Sequence, residues 1–214
     1  MNLKAVKAIA LVALIGVAWI LIYRTVTSGG IDLDPFQALG RGAALETAKL
    51  LHNSGRIVLV DATFGNYQVL APTTEAQIKA FKKAVGGTGL KIAAVAKATI
   101  APPSLSRTGI FMEPGQLSKL IRQHGDVDAV VLFVGLASRE ELATAHPKSG
   151  KPHLVLVANY EPYYRPLVQF GMIQLAIVPR MDGDEPGKAA GSSQGFFERN
   201  YRVMTPENAA QLPD

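Results

Sequence analysis

At 214 residues the chain is long enough for one domain with a substantial apolar core, and its formal net charge of +5 makes it basic. That charge is no nucleic-acid footprint. Three of the 22 basic residues (Lys4, Lys7 and Arg24) flank the first apolar run and all 17 acidic residues lie beyond it, so the remainder is nearly balanced. With no cysteine, disulfides, thiolate metal sites and cysteine nucleophiles are excluded together.

Residues 8–23, AIALVALIGVAWILIY, carry no charge. Extended back to Leu3, with Lys4 and Lys7 reaching into the headgroups, the run is long enough to span roughly 30 Å of hydrocarbon at about 1.5 Å per residue. Trp19 and Tyr23 stand near its far end, where amphipathic rings favour a lipid interface. A cleaved secretory signal shares the basic start, but the run closes on bulky Tyr23 and is followed by Arg24, where small residues are wanted. The expectation for residues 1–30 is an uncleaved single-pass anchor in membrane lipid, with Ser28, Gly29 and Gly30 as a joint. The basic bias puts the N-terminus in the cytoplasm and the remaining chain in the periplasm, the membrane being the inner one.

Asp34-Pro35 reads as an N-cap with proline at the first helical position, opening a helix over 36–53 that Ser54-Gly55 ends. IVLV at 57–60 reads as a strand buried on both faces. Thr74 and Gln77 form a T-x-x-Q capping box for the next helix, with Ile78, Phe81 and Val85 as its apolar stripe. A second strand is expected over 91–100. Residues 102–109 read as a loop, and a helix opened by Pro114 carries Leu117, Leu120, Ile121 and His124 on one face. AVVLFV at 129–134 is the most strongly apolar strand, and Ser138 with Glu141 makes another capping box after it. LVLVA at 154–158 and LAIV at 175–178 supply a fourth and fifth strand, with a short helix near 167–172 between them.

Aliphatic strands separated by amphipathic helices imply a three-layer, doubly wound (Rossmann-like) α/β domain of about five mainly parallel strands over residues 31–181. Residues 182–194 are poor in large apolar side chains and read as a linker. Residues 195–214 restore aromatic and apolar residues: the 202–204 segment is a candidate edge strand and Thr205-Pro206-Glu207 a candidate helical turn. Such a tail either packs back on the domain or meets a partner.

The order of helices and strands resembles one lobe of the type I periplasmic binding proteins, which capture sugars and amino acids between two such lobes. PGQLSKLIRQHGDVDAVVLFVG, residues 114–135, is similar to that family's helix, "VDAVV" strand and glycine-ended loop. AQIKAFKKAVGGTGLKIA, residues 76–93, is similar to the helix and second strand that precede it, and the likeness spans about 56–180. The resemblance implies a solute-binding fold, but a complete clamshell needs two lobes and this length holds one.

In parallel α/β sheets ligands bind beyond the carboxyl ends of the strands. That rule nominates Asp61, Asn66 and Tyr67 after the first strand, Gly135 and Ser138 after the third, Asn159, Tyr160 and Glu161 after the fourth, and Arg180 after the fifth. Asp61 with Ser138 at a helix N-terminus is a candidate for a small polar or anionic group, against the plainer role of loop acceptor and helix cap. Gly40-Arg41-Gly42 lies inside a helix and lacks the third glycine of a dinucleotide loop. No P-loop, nucleophile elbow or H-E-x-x-H occurs, the four histidines have no ligand spacing, and Asp182, Asp184 and Glu185 lack the rest of a calcium loop. The expectation is therefore no catalytic residues, no metal and no cofactor. The aromatic residues Trp19, Tyr160, Tyr163, Tyr164, Phe196, Phe197 and Tyr201 are candidate partner contacts.

Two main readings follow. One is a non-catalytic, membrane-anchored accessory or scaffold subunit that meets other membrane-complex subunits through those aromatics. The other is a membrane-tethered small-molecule binding or sensing module of the periplasmic-binding-protein type. An enzyme acting through Asp61 or Glu161 ranks below both.

Overall fold

The computed structural model describes residues 31–63, 71–101, 111–136, 138–145, 150, 152–157, 164–180 and 192–211. The apolar run at 8–23 lies outside them, and among the described residues no helix is long and apolar enough to cross a membrane.

The chain alternates helix and strand: α1 (Asp34–Leu50), β1 (Gly55–Thr63), α2 (Ala71–Val85), β2 (Leu90–Thr99), α3 (Gln116–Gln123), β3 (Ala129–Leu132), α4 (Arg139–Ala145), β4 (His153–Val157), α5 (Tyr164–Gln169), β5 (Leu175–Pro179), α6 (Ser193–Asn200) and β6 (Tyr201–Met204). The strands form one six-stranded sheet of order β2-β1-β3-β4-β5-β6. Strands β1 to β5 pair in parallel, and β6 lies antiparallel on β5, with Tyr201 opposite Pro179. This is a mixed α/β fold of Rossmann-like kind. The aliphatic runs of β1, β3, β4 and β5 become strands because burial on both faces favours uninterrupted β-branched and leucine residues, whereas the edge strand β2 alternates exposed and half-buried residues along most of its length.

Each face of the sheet has its own apolar layer. Val58, Val60, Val130, Leu132, Leu154, Leu156 and Ala176 pack with Leu117, Leu120 and Ile121 of α3, Leu142 of α4, and Leu167 and Val168 of α5. The alternate residues Ile57, Leu59, Val131, Val155 and Ile177 pack with Leu39, Ala43 and Ala48 of α1, Ile78 and Phe81 of α2, and Phe197 of α6. Phe81 meets Phe133 edge to face at 5.6 Å.

The helix α1 buries a face made mostly of small residues, Ala38, Gly40, Gly42, Ala43, Ala44 and Ala48 among them. A methyl group on Gly40 would stand 2.0 Å from the Gln77 carbonyl oxygen of α2, and one on Gly42 would stand 2.2 Å from the Phe197 ring. The two glycines of the G-R-G triplet are thus packing residues between helices.

Several local expectations change. Leu33, not Asp34, occupies the N-cap of α1, leaving Asp34 in the first turn with its carboxylate near the positive end of the helix dipole. The helix ends at Leu50, and His52 and Asn53 take left-handed conformations before Gly55 opens β1. Helix α2 begins at Ala71, three residues before the expected cap, so Thr74 and Gln77 are interior helical positions, both buried. Helix α3 is capped by Gly115 in a left-handed conformation, and His124 is its C-cap.

The aromatic tail belongs to the fold. Ser192 caps α6, its Oγ accepting from the Gly195 N–H at 3.1 Å, and β6 extends the sheet, so the α/β architecture runs past residue 181. The following residues make a single turn in which the Ala209 N–H donates to the Thr205 carbonyl at 2.9 Å and Asn208 Oδ1 accepts from the Thr205 N–H at 2.8 Å. The Thr205 hydroxyl is the main cause that holds the exposed Glu207 carboxyl below its ordinary range.

Candidate functional site

The strand order places β1 between β2 and β3. The connection through α2 leads outward to β2, and the connection through α3 returns across β1 to β3 on the opposite face. The carboxyl ends of β1 and β3 therefore flank the point where the winding reverses, which is where parallel sheets leave a crevice.

On the β1 side stands Asp61. It alternates with Ile57 and Leu59, so it faces the layer of α1 and α2, and it is 7% exposed. Its Oδ2 accepts from the Lys97 ammonium of the neighbouring strand. The pairing depends on a slip in register. Ile57 lies opposite Ile92 but Val58 lies opposite Ala94, so one residue of β2 is passed over and Asp61 comes level with Lys97. In a continuous ladder Asp61 would meet Ala96, and Lys97 would point to the other face. The two apolar layers record the switch: Ile92 packs with the α1 and α2 layer, whereas Ala94 and Ala96 pack with the α3 and α4 layer.

The pair is asymmetric. The Asp61 side chain is 10% exposed and that of Lys97 60%. The second carboxylate oxygen, Oδ1, is buried without a hydrogen-bond partner among the described residues. Burying a polar atom unpaired costs about 1–3 kcal/mol and more for a charged group, so folded chains seldom leave such an atom without a use.

On the β3 side the expected partner of Asp61 does something else. Ser138 Oγ accepts from the Glu141 N–H at 3.1 Å, which caps α4. The Glu141 carboxylate does not complete a box on Ser138. Its Oε1 accepts from the N–H groups of Leu117 at 2.9 Å and Ser118 at 3.4 Å, serving the first turn of α3. Gly135 bridges to Phe111, and its carbonyl accepts from the Met112 N–H at 2.9 Å. Arg180 ties β5 to the tail: its N–H donates to the Asn200 carbonyl at 2.9 Å and its Nε to the Tyr201 carbonyl at 3.3 Å.

Among the described residues singled out from the sequence, Asp61 keeps a buried oxygen without a hydrogen-bond partner near the end of its strand; Asn66, Tyr67, Asn159, Tyr160, Glu161, Tyr163 and Trp19 lie outside the described residues. Lys97 was not foreseen, because nothing local marks the slip that brings it level with Asp61. Among the described residues no group of His, Asp and Glu has the arrangement to hold a metal ion.

The candidate partner contacts are partly spent inside the fold. Tyr164 is 1% exposed, and its hydroxyl accepts from the Leu136 N–H at 3.4 Å, so it belongs to the core and not to a contact surface. Phe197 is 3% exposed against Gly42 and stacks on Tyr201 at 5.7 Å, for the same reason. Burial pushes the Tyr201 phenol above its ordinary range. Phe196 is half-buried.

No protein-family model and no curated protein matches the chain. Solved structures do. AraP, an arabinose-binding protein from Geobacillus stearothermophilus, aligns at a TM-score of 0.54 and 13% identity, covering 84% of this chain and 63% of AraP. A periplasmic solute-binding protein of an ABC transporter from Actinobacillus succinogenes 130z, with bound D-allose, aligns at 0.53 and 13%, covering 85% and 62%. A solute-binding protein of an ABC transporter from Bacillus halodurans C-125, with bound myo-inositol, aligns at 0.53 and 16%, covering 85% and 61%. The likeness is one of fold. It agrees with the resemblance to the periplasmic binding proteins carried by residues 76–93 and 114–135. The chain spans less than two thirds of the length of each of these structures.

Proposed function

We propose that the chain is a non-catalytic small-molecule binding module whose site is the crevice at the carboxyl ends of β1 and β3, held at the periplasmic face of the inner membrane by its apolar N-terminal run. The observation that carries this reading is the reversal of winding between β1 and β3, with Asp61 beside it holding a buried oxygen that has no hydrogen-bond partner among the described residues. The fold likeness to sugar-binding proteins supports it. The reading as an accessory subunit is weaker, because Tyr164 and Phe197, two of the surfaces it relied on, lie inside the fold.

The test is thermal unfolding of the full-length chain in mild detergent against a panel of sugars, polyols, amino acids and small anions. A ligand present at a hundred times its Kd stabilises a folded chain by about 2.7 kcal/mol. For a domain of this size that corresponds to a rise of roughly 5–10 °C in Tm. The expected result is such a rise, growing with concentration, for one chemical class. No shift with any solute, together with stoichiometric protein partners from native membranes, would return the accessory-subunit reading.

A further inference from the structure

The two edges of the sheet are built differently. At one edge β6 has four residues and runs directly into the turn at 205–209. At the other β2 has 10 residues, and among the described residues it is paired with β1 alone, apart from the Thr99 carbonyl at its end, which accepts from the Glu113 N–H at 2.9 Å. Such an edge presents a row of N–H and C=O groups that no strand of its own sheet satisfies. Over residues 91–97 exposed and half-buried side chains alternate, and Val95 is 39% exposed. The middle of the strand, residues 92–96, is uncharged, mostly alanine and free of proline, so little on it obstructs a neighbouring strand.

The charge around this edge is one-sided. The strand carries Lys91 and Lys97, the helix before it (α2) carries Lys79, Lys82 and Lys83, and the helix after it (α3) carries Lys119 and Arg122, all of them exposed. Against these seven the three elements hold one acid, Glu75. Of the 22 basic residues three precede residue 31 and seven stand here, which leaves 12 for the rest of the chain against 16 of its 17 acids. The domain is thus basic beside β2 and acidic elsewhere. Among the described residues Lys97 alone of the seven is ion-paired, with Asp61.

The two observations select an occupant together. A second copy of the chain would set one lysine-bearing edge against another, and like charges facing across strands oppose pairing. A lipid surface offers anionic groups for the lysines but no ladder of alternating donors and acceptors for the strand. An extended acidic segment offers both, its main chain to the edge and its carboxylates to the ammonium groups. We propose that the outer edge of β2 docks an extended acidic segment of a partner protein, which adds to the sheet as a further strand. The inference does not depend on the solute site, which lies at the carboxyl ends of β1 and β3.

Fluorescence anisotropy of the full-length chain in mild uncharged detergent tests it, with a labelled peptide of alternating glutamate and valine as long as β2. The expected result is saturable binding of this peptide and none of its lysine–valine counterpart. Placing proline at two central valines keeps the charge and removes ladder donors, and should weaken binding at least about tenfold. Lys83→Glu combined with Lys91→Glu, both at exposed positions, should also weaken it at least about tenfold with Tm near that of the parent. Should that variant fold poorly, salt at about 1 M, where screening acts within about 3 Å, should weaken binding to the parent chain instead. Amide hydrogen exchange should show added protection along residues 91–97 with none at 61–63, where a solute in the crevice acts. Equal binding of the proline peptide would mean charge alone and overturn strand addition. Binding of phosphatidylglycerol vesicles without binding of the peptide would assign the patch to a lipid surface, and a dimer with its β2 amides already protected would assign the edge to a second copy. Binding of neither peptide nor vesicle would remove the inference and leave the solute site standing.

Discussion

Gly40→Ala is expected to destabilise the domain by about 2–3 kcal/mol, near the upper end for overpacking a close contact. Alanine has the better helix propensity, by about 1 kcal/mol, and that gain opposes the loss. The overlap wins because of what it meets. The added methyl would lie 2.0 Å from the Gln77 carbonyl oxygen, and its nearest contacts are all backbone atoms of α2, which cannot rotate away as a side chain does. Relief requires α1 and α2 to separate, and their interface carries Leu39, Ala43, Ile78 and Phe81 of one apolar layer. Gly86→Ala is the control. Its methyl would meet the Lys83 carbonyl at 3.4 Å, an ordinary contact, and chemical denaturation should place it within about 0.5 kcal/mol of the parent. Equal stability for the two variants would mean that α1 and α2 do not approach as described.

Phe197→Ala should cost about 3–5 kcal/mol, the range for deleting a fully buried phenylalanine. The ring fills the space above Gly42, where an added methyl would already fall within 2.2 Å, and it stacks on Tyr201 at the start of β6. Its loss would open a cavity between α1 and α6 and loosen the edge strand that covers β5. A phenylalanine kept for contact with another protein would behave otherwise: its removal would change chain stability by no more than about 0.5 kcal/mol. Denaturant unfolding monitored by circular dichroism separates these outcomes, and a near-neutral Phe197→Ala would restore the tail as a contact surface.

The parallel core was legible because strands buried on both faces must be aliphatic runs, and IVLV, AVVLFV, LVLVA and LAIV have no other economical use in a folded chain. The caps were legible only in part. A serine such as Ser138 reaches its own first turn, but the Glu141 carboxylate serves the amides of Leu117 and Ser118, which lie 24 and 23 residues earlier. No local rule signals such a partner. Helix α6 escaped notice because it starts in a glycine- and serine-rich stretch and holds Gly195; packing of Phe197 on Gly42 outweighs that poor propensity.

The site divides the same way. Asp61 was visible as an acid closing an apolar strand. Lys97 was not, because the slip that brings it level with Asp61 falls among Ile92, Ala93 and Ala94, where one alanine is as good as the next and only the pairing of two strands decides the register. The aromatic residues misled for a related reason: Tyr164 and Phe197 have the composition of a contact surface, and only tertiary packing turns them inward.

The central claim is that a small solute occupies the crevice between the carboxyl ends of β1 and β3. Amide hydrogen exchange of the full-length chain, with and without a saturating solute identified by the thermal panel, locates it most directly. The account predicts added protection at Asp61, Ala62 and Thr63 and at the β2 amides around Lys97, with α6 and β6 unchanged. Protection confined to α6, β6 or the α5 turn, with none at the end of β1, would contradict it.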